Sequence, residues 1–480
     1  MDELKTILWG LYFVLVALAI VVIIIDRRDP PKALGWIVVV AFIPVAGLVL
    51  FTLFGRNHRK KKIFDRKLIK DLQQIEALSG KQLEFLNDDG TVQHDSITRN
   101  KDTITLLLNN NKALLTTRNR VEVLNNGHET FDSILEALAA AKESIHLEYY
   151  IFENDYIGGR IGEILMEKAR SGVEVRFIYD DVGSWSIGRR FISQLRKAGV
   201  ETGCFMPVVF PWLTSRINYR NHRKIIVVDG RVGFTGGLNI ADRYMVTTGK
   251  KAWRDTHLRL EGDAVMMLQT IFVTDWFFVS GHEQLDDLKY FPRNETKGFV
   301  PVQIASSGPD SDWAAIMQAY FAAITRARDH IYIASPYFLP NNAMLTALRV
   351  ASLSGVDVRI MIPKNSDHKL VYWATCSYIS DMLKAGVKIY QYYRGFNHSK
   401  LLMIDGQCCS IGTANMDIRS FEDNFEVSAM IYDPQFTAQM EEIFLADLRG
   451  SSQINPRKWD QRPFYQKFIE ALSSLLSPLL

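Results

Sequence analysis

Two segments of this chain carry the residue types best suited to covalent chemistry. Residues 221–244 read NHRKIIVVDGRVGFTGGLNIADRY, and residues 397–421 read NHSKLLMIDGQCCSIGTANMDIRSF. Both follow His-x-Lys-x4-Asp-x6-Gly-x2-Asn, through His222, Lys224, Asp229 and Asn239 in the first and His398, Lys400, Asp405 and Asn415 in the second. Two histidines, two lysines and two asparagines brought together make a pocket for one phosphate. The lysines are charges for its non-bridging oxygens, and the amides donate further hydrogen bonds. One imidazole can attack phosphorus, and the other can protonate the departing alkoxide and then deprotonate the next acceptor. Because the lysines already neutralise the phosphate, this chemistry calls for no metal and no cofactor.

An imidazole that attacks through one nitrogen needs the other held by a carboxylate, which sets the tautomer. Asp255 in KAWRDTH and Glu426 in EDNFE are the candidates for orienting the histidines. Asp229 and Asp405 belong to the repeated catalytic motif, yet each opens an Asp-Gly turn at an odd offset from its histidine. They are expected to hold strand ends and the lysines more than to touch phosphorus. Gly236-Gly237 and Gly412-Thr413 are expected to let the backbone approach a ligand. A third His-x-Lys-x4-Asp, at His58, Lys60 and Asp65, has the polar spacer KKIF in place of IIVV or LLMI. Such a spacer makes no buried strand, and the match reads as accidental.

The elements that must position these residues also come twice. ARSGVEVRFIYD at 169–180 answers SLSGVDVRIMIP at 352–363, and AKESIHLEYYIF answers ARDHIYIASPYF. Each half reads helix (FDSILEALAAAK; DWAAIMQAYFAAI), apolar strand, helix, apolar strand, helix. Strands alternating with helices at this spacing predict an α/β architecture with helix-covered sheets. In a strand, residues i and i+2 share a face, so each His-x-Lys pair projects together. An offset of about 180 residues between copies makes two duplicated domains, not a solenoid. The expected divisions are 1–55, 56–120 as a basic juxtamembrane and linker segment, 121–295, 296–450, and 451–480 as an amphipathic tail.

Residues 6–25 and 33–54 are two apolar stretches, each long enough for a bilayer core of about 30 Å. They predict a transmembrane hairpin with both ends on one side. The connection holds Arg27, Arg28 and Lys32, while Arg56, Arg59, Lys60, Lys61, Lys62, Arg66 and Lys67 follow the second stretch. That excess puts the catalytic domains on the cytoplasmic side. The basic cluster is suited to anionic membrane lipid. The tail spaces Phe464, Phe468, Ile469, Leu472, Leu475 and Leu476 on one helical face, for the membrane interface or for docking on the core. The aromatic segment PVVFPWLTSR before the first motif suits an acyl-chain entrance or a packed loop.

A net charge of +3 over 480 residues argues against bulk nucleic-acid binding. Four cysteines, two of them adjacent, form neither a disulfide framework nor a zinc spacing, which suits a reducing compartment.

The doubled motif resembles that of the phospholipase D superfamily, over residues of about 120 to 450. The whole chain resembles, more narrowly, bacterial cardiolipin synthases of the phospholipase D type. The matching stretches are RRDPPKALGW, FGRN, NYRNHRKIIVVDG, GGLNIADRY, SPYF, HSKLLMIDG and SIGTANMDIRSF, with Asp423 departing where an apolar residue is expected. The resemblance implies two phospholipase D-like domains sharing one active site at a pseudo-twofold interface. It also implies transfer of a phosphatidyl group between two phosphatidylglycerols, giving cardiolipin and glycerol through a phosphohistidine. By matched position His222 is the nucleophile and His398 the general acid and base, with the reverse assignment left open by the pseudo-symmetry. Hydrolysis of phospholipid is the rival expectation, with a nuclease or a non-catalytic scaffold further behind. Oligomeric state is left open.

Overall fold

In a computed structural model the chain is described at residues 2–25, 30–43, 45–51, 69–87, 95–208, 219–249, 251–281, 288–293, 296–475 and 477. It divides into two compact units, residues 1–66 with 208–218, and 67–207 with 219–480. His58, Lys60 and Asp65 lie outside the described residues, as does nearly all of PVVFPWLTSR.

In the first unit, helix α1 spans Asp2–Ile25, α2 Pro30–Phe42 and α3 Ala46–Leu50. The second apolar stretch is therefore broken after Phe42, next to Pro44 in the sequence, a residue that lacks the amide a continuous helix needs. Val16, Ile23, Val40 and Phe51 form a small buried cluster, and the Tyr12 hydroxyl donates to the Val40 carbonyl at 3.1 Å. Much of the remaining surface is apolar and exposed, including Trp9, Leu11, Phe13, Leu18 and Ile24. Over the described side chains, no helix is long and apolar enough to cross a membrane.

The second unit contains both motifs. Its first half holds β1 (Asn119–Asn125), β2 (Ser144–Tyr149), β3 (Glu174–Asp180), β4 (Glu201–Phe205), β5 (Lys224–Val228), β6 (Val232–Gly236), β7 (Trp253–Arg254) and β8 (Thr256–Gly262). All but β7 form a seven-stranded sheet, ordered β1-β8-β6-β5-β2-β3-β4. Its second half holds β9 (Val302–Ser307), β10 (His330–Ala334), β11 (Phe338–Leu339), β12 (Asp357–Pro363), β13 (Lys388–Tyr392), β14 (Phe396–Asn397), β15 (Leu401–Ile404), β16 (Cys408–Gly412), β17 (Met416–Asp417), β18 (Glu426–Ile431) and β19 (Ser451–Gln453). Eight of these make a sheet ordered β19-β13-β12-β10-β15-β16-β18-β9. The architecture is mixed α/β with the same strand–helix unit used twice. Helices Asn126–Ala140 and Ala315–Arg326 occupy the places the apolar periodicity predicts.

The motif strands β5 and β15 are central, and every residue of both is buried. Their wholly apolar spacers follow from helices covering both sheet faces, which removes the need for polar alternation. Residues between 69 and 111 do more than link. Ile104, Leu107 and Leu108 on helix Lys101–Asn111 are fully buried in the core of the second half, against Ala315, Ala319 and Ile331. Strand β19 extends the second sheet past residue 450. In the tail, helix Phe464–Ser474 turns its polar side inward, with Glu470 and Ser473 buried, while Phe464, Phe468, Leu472 and Leu475 are 81, 58, 55 and 75% exposed.

Candidate active site

Each motif begins just before a central strand. Lys224 is the first residue of β5 and Lys400 immediately precedes β15, so each histidine lies outside the sheet ladder on extended chain. What holds these approaches is the opposite half. The His222 amide donates to the Phe425 carbonyl at 2.9 Å, and the Phe425 amide to the Arg220 carbonyl at 2.9 Å. In the mirror arrangement β14 pairs with β7, and the His398 amide donates to the Arg254 carbonyl at 2.7 Å. Each histidine-bearing segment is thus zipped to the segment that carries the other half's orienting carboxylate.

That exchange sets the side-chain partners. His398 Nδ1 lies 2.8 Å from Asp255 Oδ2, and His222 Nδ1 lies 3.2 Å from Glu426 Oε1. Asp255 and Glu426 are fully buried. The Thr413 hydroxyl donates to Glu426, and Asp255 accepts from the Thr256 amide at 2.8 Å. Lys224 Nζ donates to the His222 carbonyl at 2.9 Å, and Lys400 Nζ to the His398 carbonyl at 2.5 Å. Both lysines therefore sit beside their own histidines, with amine groups directed at the same cavity.

The cavity has a volume of about 460 Å³. His222, Lys224, Asn239, His398, Lys400 and Asn415 all line it. Asn239 donates to the Tyr244 hydroxyl at 3.1 Å, whereas Asn415 Oδ1 is buried with no hydrogen-bond partner among the described residues. Burial pushes Lys224 down to about 8 and Lys400 to about 7, the latter also because Lys224 is a second cation nearby. His398 is pushed down to about 4, first by burial and then by the Lys400 charge, which together outweigh Asp255. Burial favours a neutral Asp255, yet Lys400 and His398 hold its carboxyl below the usual range. The pocket thus keeps a neutral imidazole beside a charged carboxylate and a lysine that loses its proton near pH 7. Such a site gains charge complementarity when a phosphate enters.

Two expectations need correcting. Asp229 and Asp405 do not line the cavity and do not touch the lysines. Asp229 accepts from the amides of Lys142, Glu143 and Ser144 at 2.9, 2.7 and 2.9 Å. Asp405 accepts from those of Arg328, Asp329 and His330 at 2.7, 2.8 and 2.8 Å. Each sits at φ 51 at the start of a three-residue hairpin connection (229–231 and 405–407), followed by a glycine at φ 62, and its carboxylate clamps the loop entering the neighbouring strand. The glycines, likewise, make room for protein and not for ligand. A Cβ on Gly237 would lie 2.0 Å from Asp255 Oδ1, and one on Gly412 would lie 2.4 Å from the Val427 carbonyl oxygen. They let the orienting carboxylate strands come close.

Several cavity residues escape a reading of the motifs alone. Tyr150 packs on the His222 ring at 4.1 Å between centroids, Trp253 on His398 at 5.1 Å, and Asn424 Nδ2 lies 3.2 Å from His222 Nδ1. Trp253 and Asn424 stand two residues before Asp255 and Glu426, a spacing visible in the sequence but without meaning until the halves are paired. Among the described residues no group of three or more His, Cys, Asp or Glu is arranged to hold a metal ion. All four cysteines are free thiols.

The fold and this doubled site define a protein built of two phospholipase D-like domains. A family described as "Cardiolipin synthase, PLD-like domain" matches residues 134–270 and 320–448, and a phospholipase D-nuclease N-terminal family matches 14–56. The chain is 44% identical over 466 residues to a cardiolipin synthase of Alkalihalophilus pseudofirmus, covering 96% of this chain and 91% of that one. It is 43% identical over 490 residues to the major cardiolipin synthase ClsA of Bacillus subtilis, covering 100% of both. A phosphatidylserine synthase from Haemophilus influenzae shares the fold, with a TM-score of 0.60 at 13% identity over 81% of this chain and 100% of that one. The chain belongs to the cardiolipin synthase family of the phospholipase D superfamily.

Proposed function

We propose that the chain converts two phosphatidylglycerols into cardiolipin and free glycerol. The observation that carries the chemistry is the reciprocal site, in which two histidines, each backed by the other half's carboxylate, face one cavity with two lysines. In the first step His222 Nε2 attacks the phosphorus of one phosphatidylglycerol. The bond to the glycerol oxygen breaks, and His398, which takes up a proton once the bound phosphate offsets the Lys400 charge, supplies the proton that glycerol leaves with. In the second step the terminal hydroxyl of another phosphatidylglycerol gives its proton to His398, its oxygen bonds phosphorus, and the P–N bond breaks. One phosphodiester is exchanged for another, so the cycle consumes no nucleotide. Lys224 and Lys400 oppose the charge that builds on the non-bridging oxygens, with Asn239 and Asn415 as the amide donors.

Near-complete similarity to cardiolipin synthases favours a lipid hydroxyl over water as the acceptor. Lipid chromatography of the purified protein incubated with phosphatidylglycerol alone tests this. Cardiolipin with an equal amount of glycerol is expected, and phosphatidic acid as the main product would make the protein a hydrolase. The membrane setting rests on the apolar outer surface of α1, the uncharged run of residues 6–25 and the outward apolar side of helix Phe464–Ser474. A two-span hairpin with the catalytic unit on the cytoplasmic side is the arrangement we infer. Protease protection of inside-out and right-side-out vesicles distinguishes it from the opposite orientation.

A further inference from the structure

The repeat carries one more pair of matched residues that the reaction above leaves unused. Four positions after each motif asparagine stands an arginine, Arg243 after Asn239 and Arg419 after Asn415, and both line the cavity. They flank different histidines. Arg243 lies over the Tyr244 ring at 5.1 Å, Tyr244 packs on Trp253 at 4.7 Å, and Trp253 packs on His398 at 5.1 Å. Arg419 is close enough to Tyr150 for its charge to oppose the effect of burial there, and Tyr150 packs on His222. Arg243 is therefore the arginine on the His398 side.

Cardiolipin synthesis, on the reading above, requires a second anion beside the reacting one. The acceptor phosphatidylglycerol brings its own phosphodiester, which does not react and stays one three-carbon bridge from the attacked phosphorus. Its hydroxyl must enter where the glycerol left, on the side of the acid and base His398. The buried lysines are poorly suited to a second anion, since their charge is needed at the first and is weakly held near neutrality. A guanidinium stays charged and grips phosphate through two parallel bonds. Arg243 meets Glu153 at 2.9 Å, but with side chains 47 and 28% exposed. An exposed pair of this kind is weak, and an arriving phosphate displaces it.

We propose that Arg243 forms a second phosphate subsite, which holds the unreacting phosphodiester of the acceptor phosphatidylglycerol and, after transfer, of cardiolipin. The inference rests on phosphatidyl transfer as the reaction. It makes the arginine a determinant of acceptor choice, favouring an anionic lipid hydroxyl over free glycerol.

The test sets two acceptors against each other on one intermediate. The full chain in phosphatidylglycerol vesicles with labelled glycerol makes cardiolipin from one acceptor and labelled phosphatidylglycerol from the other. In Arg243→Gln the ratio of cardiolipin to labelled phosphatidylglycerol is expected to fall about 10-fold or more, the scale of a lost charged hydrogen bond. Arg243→Lys is expected to fall in between. Glycerol exchange in the same tube reports folded enzyme. An unchanged ratio in Arg243→Gln overturns the subsite, as does a fall confined to Arg419→Gln. Wild-type enzyme yielding phosphatidic acid and neither transfer product would sink phosphatidyl transfer itself, a result distinct from transfer without arginine selectivity.

Discussion

The two half-sites share one sequence pattern but are not equally held. His398 is 12% exposed, contacts Asp255 at 2.8 Å, has Lys400 Nζ 2.9 Å from the same nitrogen, and lies against Trp253. His222 is 21% exposed, its carboxylate is 3.2 Å away, and an amide of Asn424 shares that nitrogen at the same distance. The tighter half suits the proton-transfer role. Asp255 stabilises an imidazolium, while burial and Lys400 hold His398 neutral until an anion arrives and offsets the lysine. The looser half suits the nucleophile, which needs a free lone pair on its outer nitrogen and room for phosphorus to bond.

The largest expected effect follows from exchanging those roles. His222→Ala should form no phosphatidyl-enzyme from any lipid. His398→Ala should form it roughly 10²- to 10⁴-fold more slowly from phosphatidylglycerol, the usual contribution of proton transfer. With a p-nitrophenyl phosphatidyl ester, whose leaving group needs no proton, the His398→Ala rate should recover. Acid-quenched mass spectrometry reads both variants, and an adduct on His398 in His222→Ala would reverse the assignment.

Next in size are the carboxylates. Asp255→Asn should lower kcat more than Glu426→Gln, with the losses spanning the 10- to 100-fold scale typical of groups that orient a catalytic ligand. Equal losses would mean that the shorter Asp255 contact carries no functional weight. A pH profile sharpens the same point. Lys400, held down to about 7, and Lys224, held down to about 8, are cations only below those values, so kcat/KM for the anionic lipid should fall as pH rises through 7 to 8. Asp255 is the leading charge that raises Lys400, and Glu426 the leading one for Lys224. Asp255→Asn should therefore move the alkaline limb to lower pH by acting on the lysine that titrates first, and Glu426→Gln should move it less.

The smallest effect on activity is expected where the halves are alike. Asp229→Ala and Asp405→Ala each remove an acceptor for three amides and place alanine at positive φ. Each should cost about 1–3 kcal/mol of stability, seen as similar drops in thermal midpoint, with little change in kcat at low temperature. A selective loss of kcat in either would return that aspartate to the chemistry.

Periodicity and repetition alone made the α/β class, the duplication, and the pairing of His222 and Lys224 with His398 and Lys400 legible. An apolar spacer of four residues ending in Asp-Gly has few structural solutions, and two copies rule out accident. The sequence also singled out Asp255 and Glu426, but not which histidine each would serve. Asp255 and His398 are 143 residues apart, and only the cross-pairing of β7 with β14 joins them. The antiparallel pairing of β6 with β8 decided that Gly237 clears space for a carboxylate, a steric fact between segments that no local pattern encodes. Asp229 and Asp405 were visible as turn residues, whereas their amide targets lie on loops more than seventy residues upstream. In the tail, helical spacing defined an apolar stripe on residues 464–476, of which Leu476 lies outside the described residues, but not its direction. Burial of Glu470 against Arg462 at 2.7 Å, both nearly inaccessible, fixes the polar side inward and leaves the apolar side outward. Local composition sets which elements form and which side chains share a face. Which faces meet is decided by long-range strand pairing and buried charge, and in this protein that decision assembles the active site from two halves.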